Sequence, residues 1–202
     1  MEVVTGFLDI HCARGQLLVV VIVAAVTMDK NSPRYAGIVL AGGQSSRMGQ
    51  NKALMPYKGR PMLAHMINTL RDCDVYDIFI SGYVDGFDCI PDITPFCGPV
   101  QAICDILQRK EEYDGYVFVP VDMPLLTTEA LRILMSSSRG GFFTGCPLPF
   151  FITKWVDKRN FYSVREFLDA NQVPAISLPS TIEEILVNTN TPEEWEKVLA
   201  RQ

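Results

Sequence analysis

Residues 37–63 read GIVLAGGQSSRMGQNKALMPYKGRPML. The stretch begins apolar, breaks at Gly42-Gly43, and then carries Arg47, Lys52, Lys58 and Arg60 without one Asp or Glu. A short apolar run bounded by a glycine pair reads as a buried strand followed by a loop. Glycine lacks the Cβ that keeps backbone N–H groups away from a ligand, so a strand ending in Ala41-Gly42-Gly43 can approach an anion closely. The spacing is not that of the P-loop, G-x-x-x-x-G-K-[ST], nor that of the dinucleotide fingerprint G-x-G-x-x-G. What remains is G-G-x-S-x-R-M-G-x-x-K, from Gly42 to Lys52. Within it Arg47 offers a planar fork for phosphate oxygens and Lys52 a mobile point charge.

Charge along the 202 residues is unevenly placed. The net value is -5, yet Lys30 to Arg71 holds seven Lys/Arg and no acid, whereas the chain from Asp72 onward holds twenty acids against ten bases. Such asymmetry predicts an anion held by the earlier part, with carboxylates supplied by the later one. The bases are interleaved with Gly, Met and Pro rather than clustered, which favours a small phosphorylated ligand over nucleic acid. Apolar content of 48% argues against disorder. The six cysteines form no C-x-x-C pair and there are only two histidines, His11 and His65. That composition points to free thiols in a reducing compartment and argues against a zinc site or a Ser-His-Asp hydrolase.

The apolar run Leu17–Val26 has ten residues, half of the roughly 20 that a spanning helix needs. Arg14 is the one base before it, and Glu2 and Asp9 are acidic. Residues 1–34 are read as an extension, non-native or dispensable, with Met28 as a plausible start; a signal-type h-region is the alternative. Residues 35–202 are read as one domain. In it, YAGIVLA, YDIFIS and YVFVPVD read as strands, and PMLAHMINTLR, GPVQAICDILQRK and TTEALRILM as helices between and after them. Pro61 suits a first helical turn, and Thr127 or Thr128 a cap. This order predicts an α/β fold with a Rossmann-like, doubly wound, mostly parallel sheet flanked by helices. Further on, GGFFTG, PFFIT, AISL and EEILVN read as strands. SVREFLDA and TPEEWEKVLA read as helices, the last with Thr191 as cap.

Four later positions carry further chemistry. Asp122 ends an apolar strand and is followed by Met123-Pro124; a carboxylate there is a hard oxygen ligand for Mg²⁺, or equally an ordinary turn residue before a helix. Asn188 and Asn190 alternate around Thr189 and so share one face of an extended segment. Asn190 can complete a metal shell or simply punctuate the chain before the capped helix. Asp92 lies in a proline-rich loop, where its carboxylate can accept from a ligand's donor edge or be an ordinary loop residue.

Gly42 to Lys52 resembles the signature loop of nucleotidyltransferases that attach a nucleoside monophosphate to a phosphorylated acceptor, and LAGGQSSRMGQNKAL with YKGRPML looks most like the molybdenum cofactor guanylyltransferase branch. PDITPFCGPVQAI, VPVDMPLL, PLPFFI, SVREFL and NTNTPEEW resemble its later segments in order. The resemblance begins at about Tyr35. It implies the nucleotide-diphospho-sugar transferase fold, GTP and a molybdopterin-type cofactor as substrates, Mg²⁺, and a cytoplasmic enzyme that meets molybdoenzymes or cofactor-insertion proteins but neither nucleic acid nor membrane. By the same resemblance, Lys52 contacts the α-phosphate and Arg47 the β/γ end. Leu40, Ala41, Gly42 and Gly43 would frame base and ribose with Ser81, Asp92 and Gly98, while Asp122 and Asn190 bind the metal. The A-G-G form, rather than A-A-G, implies guanine over cytosine. Ser81 stands where the family often has Asn, and Gln101 where it has a small residue. Lys154, Lys158, Arg159 and Arg165 are the remaining basic set for an acceptor phosphate, or else a solvated surface. A relative using CTP or a sugar-phosphate acceptor, and a non-catalytic GTP-binding module, are the alternatives.

A chain trimmed to begin at Met28 is expected to retain the thermal transition of the full chain. N-terminal sequencing of the endogenous protein that found residues before Met28 would count against the alternative start.

Overall fold

Three strand ends lie level at one edge of the sheet, and this alignment builds the site. The computed structural model describes residues 32–43, 48–94, 98–155, 160–178 and 184–201, all but Ser32 within the unit Pro33–Gln202. Strand β1 (Tyr35–Leu40) runs parallel to both β4 (Asp77–Ser81) and β5 (Gly115–Pro120), with Leu40 opposite Ser81 on one side and Pro120 on the other. The sheet continues through β7 (Cys146–Ile152), β6 (Gly141–Phe143) and β8 (Ala175–Ile176), in the order β4-β1-β5-β7-β6-β8. The β5–β7 and β6–β7 pairs are antiparallel, while β6–β8 is parallel. From β1 the chain goes first to β4 on one side and then to β5 on the other. That reversal is the switch point at which open α/β sheets bind ligands.

Alternation along the central strands explains the two layers of helices. Val39, Val117 and Val119 face a core with Leu63 and Met66 of α1 (Met62–Arg71), Leu131 and Leu134 of α3 (Thr128–Met135) and Trp195 of α5 (Pro192–Leu199). Their neighbours Ile38, Tyr116 and Phe118 face a second core with Ile103 and Leu107 of α2 (Pro99–Arg109) and Phe167 of α4 (Val164–Ala170). Period-two strands apolar on both faces are what a sheet covered on both sides requires. The doubly wound, mostly parallel expectation therefore holds for the part that carries the motifs, and β7 and β6 add an antiparallel extension. Among the described residues no helix is long and apolar enough to cross a membrane.

Local chemistry sets the ends. Thr127, Ser163 and Thr191 each accept from a backbone N–H of the following first turn, and Glu194 completes a capping box with Thr191. Pro61 stands just outside α1, in a short hairpin of β2 (Pro56–Tyr57) and β3 (Arg60–Pro61), rather than in its first turn. One expected strand is absent: in EEILVN, Glu184–Leu186 form a 3-10 turn and the following residues no regular structure. The backbone of Thr189 donates to the Asp122 carbonyl, 2.9 Å away, which draws this segment over the end of β5 and away from any ladder.

The exit of β4 is packed tightly on the exit of β1. Gly82 has φ +115, and a Cβ there would lie 2.5 Å from both the N and the Cα of Gly42. Gly82→Ala combines a strained backbone with an overpacked contact and is expected to cost about 2–4 kcal/mol. The check is the denaturant midpoint, which should fall without a change in slope.

Candidate functional site: a strand-end cavity

The loops leaving β1, β4 and β5 surround a cavity of about 610 Å³. Leu40, Ala41, Gly42, Gly43 and Lys52 line it from the β1 side; Ser81, Asp92 and Gly98 line it from the β4–α2 side. Asp122, Asn188 and Asn190 close it beyond β5. The described residues expected to hold nucleotide or metal therefore all border one space. Arg47 lies outside the described residues, as do Lys158 and Arg159.

At one end of the cavity a cation is held by two oxygens. Lys52 Nζ lies 2.9 Å from Asp122 Oδ2 and 2.8 Å from Asn190 Oδ1. Both charged side chains are largely withdrawn from water, at 14% and 19% exposure. Lys52 is placed there by a 3-10 turn, Lys52–Leu54, whose start is capped by the Asn51 side chain accepting from Ala53 N and whose Ala53 is fully buried. Asp122 follows β5 directly. Asn190 is fixed by its own backbone, which donates to Glu194 Oε2 at 2.6 Å, and by Thr189, whose N–H and hydroxyl both donate to the Asp122 carbonyl. A carboxylate and an amide oxygen converging on one positive centre form a hard-oxygen pair of the kind that suits Mg²⁺. Among the described residues no group of three or more His, Cys, Asp or Glu could hold a metal, so an ion here would draw its other ligands from phosphate and water.

The opposite end is acidic. Ser81, 2% exposed, donates to Asp92 Oδ1 at 3.1 Å. The other carboxylate oxygen sits against Gly42, where a Cβ would meet it at 2.5 Å. Asp92 is thereby anchored by the β4 hydroxyl and abuts the glycine loop. Gly98, at φ +86, opens α2 facing the same cavity.

Residues 37–147 match the family model described as the MobA-like NTP transferase domain. The chain belongs to that family. As a MobA-like nucleotidyltransferase it has curated relatives of similar length. The molybdenum cofactor guanylyltransferase of Xanthomonas euvesicatoria pv. vesicatoria (strain 85-10) is 32% identical over 178 residues, covering 82% of this chain and 94% of that protein. Among solved structures, a nucleotidyl transferase from Methanothermobacter thermautotroptrophicus aligns over 84% of this chain and 98% of its own, with TM-score 0.67 at 13% identity. Molybdopterin-guanine dinucleotide biosynthesis protein A from Archaeoglobus fulgidus aligns over 83% and 100%, with TM-score 0.58 at 14% identity. At these identities the structural likeness establishes the Rossmann-like nucleotidyltransferase fold.

Several members of the MobA-like site escaped sequence reasoning. Asn51 lines the cavity and caps the lysine-bearing turn; its place immediately before Lys52 was the available signal. Thr189, 1% exposed, ties the Asn190 segment to Asp122, and nothing local distinguishes it from punctuation. Pro99, Ala102 and Leu148 supply an apolar wall. Gln101 does not line the cavity: its amide donates to Asp105 Oδ1 at 2.9 Å, one turn along α2. Lys154 is not a lining residue either, and Arg165 pairs with Asp169 while stacking over Phe142. Those two bases behave as a solvated surface.

His65 supports the Asp122 turn from below. Its Nε2 lies 3.1 Å from the Pro124 carbonyl, and its ring packs on Tyr57 at 4.7 Å between centroids. Burial lowers its pKa from the ordinary 6.5; the Pro124 hydrogen bond opposes that and nearby Lys58 adds to it. A His whose folded pKa is depressed takes up its proton more readily in the unfolded chain. Stability is therefore held above the unfolded value and lost as pH falls below about 6.5. On lowering the pH from 7.5 to 5.5, the thermal midpoint of the native chain is expected to drop further than that of His65→Gln. Equal drops in both proteins would refute this contribution.

Proposed function

We propose that the protein is a molybdenum cofactor guanylyltransferase, which transfers GMP from GTP to molybdenum-loaded molybdopterin and releases pyrophosphate. The observation that carries the reading is the convergence of Lys52, Asp122 and Asn190 at one end of a cavity whose other end holds the Ser81–Asp92 pair. A base-reading carboxylate and a phosphate-facing cation separated by glycine backbone form a site polarised as a nucleoside triphosphate is. Membership of the MobA-like family and the curated relative named as such a guanylyltransferase support the choice of reaction.

In this reading, a phosphate oxygen of the acceptor attacks the α-phosphorus of GTP, a new P–O–P link forms, and the bond to the α,β-bridging oxygen breaks to free pyrophosphate. Such a transfer asks the protein chiefly for alignment and for positive charge against the charge that develops on the phosphoryl oxygens. Lys52 meets the α-phosphate and Arg47 the β/γ end. Gly42 and Gly43 let the nucleotide lie against the backbone, with Leu40, Ala41 and Gly98 beside base and ribose. Asp92, oriented by Ser81, accepts from the guanine N1–H and N2–H₂ edge. Asp122 and Asn190 would hold Mg²⁺, which when bound would supply Lewis-acid neutralisation of phosphate oxygens. The enzyme acts in the cytoplasm and hands its product to molybdoenzymes or their cofactor-insertion proteins. Residues 1–34 are an extension that the reaction does not need.

The test is pyrophosphate release with molybdenum-loaded molybdopterin, Mg²⁺ and either GTP or CTP. GTP is expected to support turnover and CTP not; turnover with CTP alone, or only with a sugar phosphate as acceptor, would overturn the assignment. GTP binding without pyrophosphate release would mean a binding module instead. Asp122→Ala should lower turnover by at least about 100-fold, as loss of a charge-stabilising group does. Ser81→Ala should raise the KM for GTP by about tenfold or more, the size of one hydrogen bond to a charged group.

A further inference from the structure

Two projections of opposite charge stand at the exit edge of the parallel strands. On the β1 side the hairpin of β2 and β3 carries Lys58 and Arg60, both exposed, with Leu54 just before it at 41% exposure. On the β4 side the segment after Ser81 carries Asp85 and Asp88, both exposed, with Tyr83 and Ile93 at 77% and 67% exposure. We infer that a second copy of this chain docks on this edge about a two-fold axis, the basic hairpin of each copy meeting the acidic loop of the other. None of these residues lines the cavity, and the inference does not depend on the reaction proposed above.

Charge complementarity selects the occupant. Lys30 to Arg71 hold no acid, and Asp72 to Gln108 hold no base. The hairpin follows β1 and the acidic loop follows β4, neighbouring parallel strands, so the two halves emerge at one edge of the sheet. A partner of a single sign would satisfy one half and be repelled by the other. A second copy satisfies both, because in an isologous contact the surface that one copy offers is met by the same surface turned through the two-fold. Exposed large apolar side chains on a surface mark contact sites. Here they occur on both halves, Leu54 on one and Tyr83 and Ile93 on the other, so each charged contact is accompanied by an apolar one.

Both projections are held in shape before any contact is made. The hairpin turns through Lys58 and Gly59 alone, at φ +49 and +74, the positive values that a two-residue turn between twisted strands requires. Tyr57, at its base, is buried. The acidic loop closes on itself: the Gly82 N–H donates to the Ile90 carbonyl at 3.0 Å and the Phe87 N–H to the Val84 carbonyl at 3.2 Å, around the buried Val84 side chain. Surfaces ordered in advance lose less conformational entropy on association.

The experiment is sedimentation equilibrium on the full chain, over about a hundredfold range of concentration, at about 0.05 M and about 0.5 M salt. A monomer–dimer equilibrium is expected, weakened at least about tenfold at the higher salt. Two double variants reverse one half each: Lys58→Glu with Arg60→Glu, and Asp85→Lys with Asp88→Lys. Each alone should be monomeric, because like charges then face each other across the two-fold. Their equimolar mixture should recover the dimer, since the hairpin of either variant now meets a loop of opposite sign in the other. Circular dichroism and thermal midpoints establish that both variants are folded. A native chain that stays monomeric throughout leaves this edge to some other partner and overturns the inference. So does a dimer indifferent to salt and to either reversal, a mixture that remains monomeric, or growth beyond the dimer, which a closed two-fold contact forbids.

Discussion

The contact between Lys52 and Asp122, 2.9 Å long and mostly shielded from water, is the constraint on which the rest of the site depends. An aspartate at the carboxyl end of a central strand needs a cation or several donors, because burial without compensation is costly. The lysine comes from the loop that follows β1, and it reaches the aspartate because β1 and β5 are adjacent, parallel and level at Leu40 and Pro120. A one-residue slip between those strands would exchange the cores that Val39 and Ile38 serve. It would also carry Lys52 away from its partner. Packing register and charge geometry are therefore fixed together.

The charge asymmetry of the chain has a corresponding spatial meaning. The acid-free stretch contributes glycine backbone and Lys52 to the cavity, and the acid-rich remainder contributes Asp92 and Asp122. The two carboxylates are used differently. Asp122 faces an ammonium, whereas Asp92 faces a hydroxyl and the Cα of Gly42. A side chain at position 42 would meet Asp92 Oδ2 at 2.5 Å, so glycine there serves the acidic end of the cavity as well as the phosphate end. Gly82 extends the same logic, since its missing Cβ lets the exits of β1 and β4 touch.

Much of this was legible in the sequence because it is local. Apolar runs, glycine pairs and helix caps each declare themselves within a few residues, and β1, β4, β5, α1, α2 and α3 follow from them. Asp122 was legible as the carboxylate ending an apolar strand. What was not legible depends on contacts between distant segments. Glu184–Leu186 has the composition of a strand, but the donation of Thr189 to Asp122, 67 residues earlier, sends the chain elsewhere. The burial of Thr189 and the bond from Lys52 to Asn190, across 138 residues, have no local signature. Gln101 could be flagged as unusual, yet its bond to Asp105 needed the helix to be seen. Nothing in composition separated Arg165, bound to Asp169, from a base that serves a ligand.

The segments that meet at the ammonium also meet a second time beneath it. Tyr57, shortly after the lysine turn, is 2% exposed and lies between His65 and Trp195, with centroids 4.7 and 6.0 Å away. His65 reaches the Pro124 carbonyl of the Asp122 turn, and Trp195 belongs to the helix that follows Asn190. The lysine, aspartate and asparagine segments are thus joined by polar contacts facing the cavity and by an aromatic cluster on the core side. Polar contacts alone would let each segment pivot when a ligand rearranged the charges. The aromatic layer resists that pivot, because close-packed rings have few alternative arrangements. The backbone that carries Lys52, Asp122 and Asn190 is thereby braced on the core side as well as across the cavity.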